Sequence, residues 1–276
     1  VLHSLRLEYL SYDYTNKHIV GNTKDDGTNC GFGGCLYTRP ASRDDSFTNV
    51  GARLGAEKDL AAGMVYANVS RGFRPPQVTE LYRLRGGQSI ADLDSEDLTA
   101  VEVGFKNENV SVAVFAEQTR NFLFRDSEAF NVSDGRTRSV GVEFSGQRKV
   151  GRHELQLAAT YAEHEYDFVR DADADGREEI TDGNELDSAP RWIAHGAWRT
   201  AITDSLKHEL EVNRVGSHFL NAANTARYKG HYAVNWRLQW QASPSMEISL
   251  RVMNLLNESY ADRADFAFGS YRYFPA

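Results

Sequence analysis

Apolar and polar residues alternate one by one along most of this chain. Tyr232, Val234, Trp236, Leu238 and Trp240 are separated by Ala, Asn, Arg and Gln, and residues 101–106, 139–145, 155–162 and 246–252 alternate in the same way. Because successive side chains on a β-strand point to opposite faces, each segment would be apolar on one face and polar on the other. No comparable stretch has the 3.6-residue period of an amphipathic helix. The pattern predicts an all-β protein.

The connections between the predicted strands alternate in length. Alternating runs bounded by turn residues give about eleven strands. Short turns are predicted at residues 58–59, 107–109, 149–151, 203–205 and 243–245, with much longer connections between them. Outer-membrane barrels have short turns on one side of the membrane and long loops on the other. The pattern therefore favours an antiparallel up-and-down transmembrane β-barrel, with a soluble β-sandwich as the alternative.

Composition excludes several classes of function. The 276 residues carry a formal net charge of −8 and no basic stripe, so we expect no nucleic-acid partner. Mean hydropathy is −0.53, and no run approaches the ~20 apolar residues that a membrane helix needs. A barrel strand alternates, so it keeps a low average hydropathy. The motifs G-x-S-x-G and H-E-x-x-H are absent from the sequence, and we expect no enzyme.

Five segments resemble the TonB-dependent outer-membrane receptor family. Residues 65–82, VYANVSRGFRPPQVTELY, are similar to its S-x-G-F-R-x-P…E-L-Y segment, where a strand rises into an extracellular loop. Further segments resemble the family's L-x-x-E…E-x-G-x-K, N…G-x-E and V-x-N-L…Y strands and the approach to its last strand; they are residues 93–106, 131–143, 252–260 and 271–275. The resemblance extends over essentially the whole chain.

The resemblance implies that residues 1–276 are the C-terminal part of the receptor β-barrel domain. About eleven strands would be half of the ~22 in such a plugged barrel. The family's last strand, N-terminal plug and energy-coupling box have no counterpart in the sequence, so we expect the chain to be part of a longer barrel.

The resemblance also implies a function and a location. The protein would lie among the lipids of the cell outer membrane of a Gram-negative bacterium. It would take up a scarce nutrient in the form of a small metal chelate. A ferric siderophore is the first candidate for this chelate. A TonB-type protein would supply energy through the missing N-terminal region. A passive porin or another outer-membrane barrel is the alternative.

Four arginines lie at the start of one long predicted loop: Arg71, Arg74, Arg83 and Arg85. Because guanidinium groups bind carboxylate and catecholate oxygens, these residues are candidate ligands for an anionic ferric chelate. Local salt bridges are the alternative role. The Phe73-Arg74-Pro75-Pro76 segment is also similar to the FRAP box of haem receptors. The NPNL box and the intervening His of those receptors are lacking here, so we do not expect haem.

An acidic segment begins like a calcium loop. Asp171, Asp173 and Asp175 alternate before a glycine, and Asp182 stands at position twelve, where the usual residue is a bidentate Glu. The segment is a candidate calcium site in an extracellular loop, with a solvated acidic loop as the alternative. No other cofactor is expected.

Two cysteines, Cys30 and Cys35, enclose four residues, of which three are glycine. Glycines allow the sharp bending of a short ring, and the pair favours a disulfide formed in an oxidising compartment. Free thiols or half of a metal site are the alternatives. No His lies between His18 and His153 to complete such a metal site.

Overall fold

One antiparallel sheet contains most of the chain. The computed structural model describes residues 1–17, 28, 37–125, 130–170, 180–267 and 269–275. The strands of the sheet are Leu2–Tyr14 (β1), Arg43–Leu60 (β3), Gly63–Arg74 (β4), Glu96–Lys106 (β6), Val110–Arg125 (β7), Asn131–Val150 (β8), His153–Tyr166 (β9), Trp192–Ala201 (β10), Leu206–Val215 (β11), His231–Ser243 (β14) and Met246–Val252 (β15). The shorter elements are Tyr37–Thr38 (β2), Val78–Tyr82 (α1), Leu84–Arg85 (β5), His218–Phe219 (β12), Arg227–Tyr228 (β13), Ala261–Ala267 (β16) and Ser270–Pro275 (β17).

The strands of this sheet follow an up-and-down order. Within the described residues it has 11 strands in the order β1-β3-β4-β6-β7-β8-β9-β10-β11-β14-β15, so each strand pairs with the strand of this sheet that follows it along the chain. The sequence prediction of an antiparallel up-and-down sheet of this size is confirmed. The longest strand, β8, has 20 residues. A tilted strand needs roughly 9–11 residues to cross a bilayer. The longest strands therefore extend well beyond a membrane thickness.

The apolar rows of the strands are exposed. On β1, the exposed fractions are 77% for Leu5, 74% for Leu7 and 70% for Tyr9. The same is true on the other strands for Val101, Val103, Val140, Val142, Leu155, Leu157, Tyr232, Trp240, Ile248 and Leu250. A soluble β-sandwich would bury such rows against a second sheet. The sandwich alternative is therefore wrong, and the apolar face is the outer face of a barrel-type sheet.

The opposite, inner face is polar and closely packed. Asn49, Asn68 and Asn235 on this face are buried. Gly104 lies directly across from Tyr66, and a Cβ atom on Gly104 would be 2.4 Å from Cζ of the Tyr66 ring. A flat aromatic ring thus covers a glycine on the neighbouring strand. The inner face is lined by hydrogen-bonding groups and by rings that lie against the sheet.

The first short turn differs from its sequence prediction. The sequence predicts turn residues at 58–59, whereas in the structure Lys58 pairs with Val65 and the strand continues to Leu60. The turn is Ala61-Ala62, and Gly63 closes it with a φ of 148°. A Cβ there would be 2.6 Å from the carbonyl oxygen of Lys106, so only glycine fits. The charged pair at 58–59 belongs to the end of β3 because backbone pairing, not polarity, sets the turn.

The long connections all lie at the other end of the sheet. They join β1 to β3, β4 to β6, β7 to β8, β9 to β10 and β11 to β14. Buried apolar clusters form there, one of them around Leu81, Tyr82 and Leu84. No helix of the described residues has the length and apolar character needed to span a membrane. We call this end of the sheet the loop end.

Gly104→Ala tests the packing of the inner face. The added methyl group would collide with the Tyr66 ring, and forcing a ring out of a packed site costs about 1–3 kcal/mol. Guanidinium unfolding of the detergent-solubilised receptor should shift to a lower midpoint. Gly72→Ala is the matched control, since no atom lies within 4 Å of a Cβ built there. Equal midpoints for the two variants would contradict the packing of Tyr66 against Gly104.

Candidate functional site

The connection from β4 to β6 folds back over the loop end through a short helix, α1. The Glu80 carboxylate accepts a hydrogen bond of 2.7 Å from the backbone N–H of Gln77, which satisfies a free donor at the start of the helix. Leu81 and Leu84 are almost fully buried, and Leu123 of β7 packs against the same cluster. The long connection is therefore an ordered part of the structure.

Aromatic side chains from β1 fasten this connection to the sheet. The Tyr82 hydroxyl donates a 2.7 Å hydrogen bond to Asp45 of β3, and its ring stacks on Tyr14 at 4.3 Å between centroids. The Tyr12 hydroxyl donates to the carbonyl oxygen of Pro76. Burial, and then the hydrogen bond to Asp45, raises the pKa of Tyr82. The hydroxyl therefore remains a donor throughout the physiological pH range.

Arg74, the last residue of β4, is held by two carboxylates, one on α1 and one at the start of β6. Its Nε lies 2.6 Å from Glu96, and Nη1 lies 3.0 Å from Glu80. Arg71 binds both oxygens of Asp97, at 3.2 and 2.9 Å. The salt-bridge role considered from the sequence is thus present for both arginines. Arg71 also lies two residues beyond Val69 of the exposed row, so strand alternation places it on the outer face.

Arg83 lines a cavity at the loop end. The cavity has a volume of about 320 Å³, and its lining includes Thr79, Glu80 and Arg83 from the α1 region together with Leu123, Arg125 and Asn131 from β7 and β8. The Asn131 side chain donates to the backbone oxygen of Glu80 at 2.8 Å and so joins the two sides. Polar donors and an apolar wall at this size can hold a small polar ligand.

The four candidate arginines are therefore not one site. Arg74 and Arg83 lie on the same ordered connection, and Glu80 contacts the first and lines the cavity beside the second. Arg85 belongs to β5, whose backbone pairs with β2. Arg71 lies on the outer face. Strand alternation separates Arg71 from Arg74, although they are close in sequence. Asn131 was missed because only the register of β7 and β8 brings it to the cavity.

A chain of charged groups crosses the inner face below the loops. Arg199 of β10 forms ion pairs with Glu209 of β11 and with Glu154 of β9, the latter at 3.1 Å. Glu209, itself buried, also lies 3.7 Å from Arg237 of β14. Glu211 accepts hydrogen bonds from Asn213 and Asn235. Alternating charges on four neighbouring strands thus neutralise one another where side chains crowd together.

The remaining candidate sites fall wholly or mainly outside the described residues. Of the proposed calcium ligands only Asp182 is described, and it lies 3.9 Å from Arg138. Asp171, Asp173 and Asp175 lie outside, as do Cys30 and Cys35. Where residues are described, no group of three or more acidic, His or Cys side chains is arranged to hold a metal ion. The calcium site and the disulfide stay predictions.

The architecture defines a class of protein. An antiparallel meander with an apolar outer face, a polar inner face, tight turns at one end and long loops at the other is part of a transmembrane-type β-barrel. The family model described as "TonB dependent receptor-like, beta-barrel" matches residues 1–255. The chain belongs to this family, which consists of transport receptors.

Solved structures of three uptake receptors and transporters have a similar fold. The ferric yersiniabactin uptake receptor from Yersinia pestis is 21% identical with a TM-score of 0.69, and the match covers 85% of this chain and 36% of that one. The ferric-catecholate import receptor from E. coli K12 is 17% identical with a TM-score of 0.71, covering 99% and 40%. A copper transporter, OprC, is 15% identical with a TM-score of 0.71, covering 99% and 44%. No curated protein matches significantly.

The chain spans less than half of the length of these structures. At such identities the likeness shows the fold alone. The sequence resemblance to TonB-dependent receptors is nevertheless confirmed by the family match.

Tyr82→Phe tests the attachment of the loop. Loss of the hydroxyl leaves the buried Asp45 without its donor from Tyr82, at a cost of about 1–3 kcal/mol. We expect faster amide exchange and faster proteolysis in residues 75–95. Tyr9→Phe is the matched control, because Tyr9 is 70% exposed on the outer face. If both variants exchange at the wild-type rate, the Tyr82–Asp45 bond does not hold the loop.

Proposed function

We propose that this chain is part of an outer-membrane receptor that takes up a scarce metal chelate with energy from a TonB-type protein. A ferric siderophore is the first candidate substrate. The protein would lie in the cell outer membrane of a Gram-negative bacterium. Residues 1–276 would be the C-terminal part of its barrel domain, and the energy-coupling partner would engage an N-terminal region outside this sequence.

The orientation of the strand faces supports the membrane location most directly. Leu5, Leu7 and Tyr9 belong to a broad apolar surface that is costly to expose to water. No second sheet covers this surface, because the fold is not a sandwich. Hydrocarbon removes this conflict, because it solvates the apolar rows while the sheet satisfies its own backbone groups. The paired charges around Glu209 then face a lumen instead of lipid.

The cavity beside α1 supports a small anionic substrate. Arg83 and Arg125 line it with Glu80, whose carboxylate is bound to Arg74, and Leu123 contributes apolar surface. Ferric chelates built from carboxylates or catecholates carry negative charge and hydrophobic parts, which match such a wall. The similar structures include receptors named for ferric yersiniabactin and ferric catecholates and a transporter named for copper. These names suggest the class of metal chelate for this receptor.

Two further features belong to this proposal. The aspartates at 171, 173, 175 and 182 would bind calcium in an extracellular loop, and Cys30 and Cys35 would form a disulfide. Both agree with a location outside the cytoplasm, where calcium is abundant and thiols become oxidised.

Deletion of the gene tests the uptake function. Under iron limitation, the deletion strain should fail to grow on at least one ferric siderophore that supports the parent strain. Removal of the TonB-type protein should cause the same failure, since it would supply the energy. Growth that depends on the gene but not on the TonB-type protein would indicate a passive porin. Normal growth on every iron, copper and other metal chelate supplied would contradict the proposal.

Arg83→Gln tests the cavity as a substrate site. A charged hydrogen bond contributes about 1.5–3 kcal/mol, which corresponds to a rise of roughly tenfold or more in the half-saturating chelate concentration for uptake. Arg152→Gln is the control, because Arg152 is an exposed arginine at the short-turn end, beside Asp204. If Arg83→Gln binds and transports the chelate like the wild type while the deletion strain does not, the substrate site lies elsewhere.

A further inference from the structure

Two connections at the loop end pack against each other around one buried tyrosine. Tyr228 of β13, in the connection from β11 to β14, shares a buried apolar cluster with Leu220 and Ala264. Its hydroxyl accepts a hydrogen bond of 3.2 Å from the backbone N–H of Ala261, the first residue of β16. The β16–β17 hairpin is therefore joined to the β11–β14 connection by a polar contact inside an apolar cluster.

His231, the first residue of β14, completes this contact. Its Nδ1 atom lies 2.9 Å from the Tyr228 hydroxyl, and its ring stacks on Tyr260 at 4.4 Å between centroids. Because the hydroxyl oxygen accepts from Ala261, its own proton is left for Nδ1, which must then be the unprotonated nitrogen of a neutral imidazole. Among the described residues, no other acceptor lies within hydrogen-bonding distance of this hydroxyl. The contact therefore requires a neutral His231.

A second histidine, the buried His218 of β12, contacts the same tyrosine. Its ring centroid lies 5.3 Å from that of Tyr228, and its Nδ1–H donates a 3.2 Å hydrogen bond to the carbonyl oxygen of Gly216. Burial lowers the pKa of His218, although the Gly216 carbonyl and the Asp187 carboxylate act in the opposite direction. That carboxylate also accepts a hydrogen bond from Tyr166. Both rings beside Tyr228 are therefore neutral at neutral pH.

Charged groups of both signs surround His231. The groups that act on it electrostatically are Arg214, His218, Asp262 and Glu258. The guanidinium group and a protonated His218 repel a positive charge on His231, whereas the two carboxylates attract it, and Glu258 is also bound to Lys229 at 3.4 Å. Neither carboxylate accepts the Tyr228 proton. Attraction by these groups thus does not restore the contact once Nδ1 is protonated.

We propose that His218 and His231 make this junction an acid-sensitive latch, which fastens the β16–β17 hairpin to the β11–β14 connection only while both imidazoles are neutral. Protonation of His231 places a hydrogen on Nδ1, so the buried Tyr228 hydroxyl loses its acceptor. Protonation of His218 places a positive charge in a buried position. Each step weakens the cluster around Tyr228, and the hairpin separates from the connection.

The direction of the pH dependence follows from the titration of His218. An unperturbed histidine has a pKa of about 6.5, and the folded junction lowers the pKa of His218 below this value. The neutral form is thus favoured by the latched state, whose stability is fully present above about pH 6.5 and is lost as the pH falls below that value. The loop end is therefore fastened in neutral surroundings and loosened in acidic ones.

Amide hydrogen exchange of the purified full-length receptor in detergent tests the latch. Exchange is measured at about pH 7.5 and about pH 5.5, on either side of the usual histidine pKa, and is expressed as protection relative to the intrinsic rate at each pH. We expect protection in residues 216–230 and 260–267 to fall about tenfold in acid, the order expected when a buried donor loses its acceptor. Protection of β10 should not change. Equal protection of the two segments at both pH values, or an equal loss in β10, would overturn the proposal.

The double variant His218→Asn with His231→Asn tests whether these two side chains carry the pH dependence. Asparagine does not titrate in this range, and its amide can supply both a donor and an acceptor in place of Nδ1. We expect the difference between the two pH values to disappear. His3→Asn is the matched control, since His3 is exposed on β1, and it should keep the wild-type difference. Heat-modifiable migration on a detergent gel establishes that each variant is folded. A folded double variant that keeps the wild-type difference contradicts the proposal.

Tyr228→Phe tests the hydroxyl on which the latch depends. The ring remains in the apolar cluster, but its contacts with Ala261 and His231 are lost. We expect residues 216–230 and 260–267 of this variant to be as weakly protected at about pH 7.5 as those of the wild type are in acid. Wild-type protection of the variant at the higher pH would show that the hydroxyl does not join the two connections, and the proposal would fail.

The latch does not depend on substrate uptake. A receptor that shows the acid-sensitive exchange but transports no chelate would contradict only the proposed function. A receptor that transports chelate while its exchange is the same at both pH values would contradict only the latch.

Discussion

Backbone hydrogen bonding within a single sheet is the constraint on which the rest of this structure depends. An outer face made of Leu5, Leu7 and Tyr9 and the matching rows on other strands cannot be solvated by water at low cost. In hydrocarbon, no water is present to pair with backbone groups, so each strand must pair with its neighbours. The meander from β1 to β15 meets this requirement with tight turns at one end. The long loops at the other end are free to carry function.

Charged side chains are arranged differently on the two faces of the sheet. On the inner face, Arg199, Glu209 and Arg237 neutralise one another across three strands, where crowding and burial would make a lone charge costly. On the outer face above the apolar rows, Arg71 binds the carboxylate of Asp97, and Arg120 and Arg136 are direct partners in the strand register.

The ordered connection around α1 links the barrel wall to the candidate substrate site. Tyr82 and Asp45 fasten the loop to β3, and Arg74 is bound between Glu80 and Glu96. These contacts hold the loop that places Arg83 beside the cavity. Their role is therefore positional, and a ligand at the cavity would meet a wall that is already formed.

The sequence by itself determined the strands, their two faces and the family, because side-chain alternation and short motifs are local properties of a chain. It misplaced the turn at 58–59, since Leu60 and Gly63 close that hairpin by backbone pairing. It also grouped Arg71 with Arg74, which the strand places on opposite faces. Only the tertiary structure decided these points, together with the cavity at Asn131 and the pairing of Arg120 with Arg136. Each of them depends on register between strands, and register is fixed by contacts between residues distant in sequence.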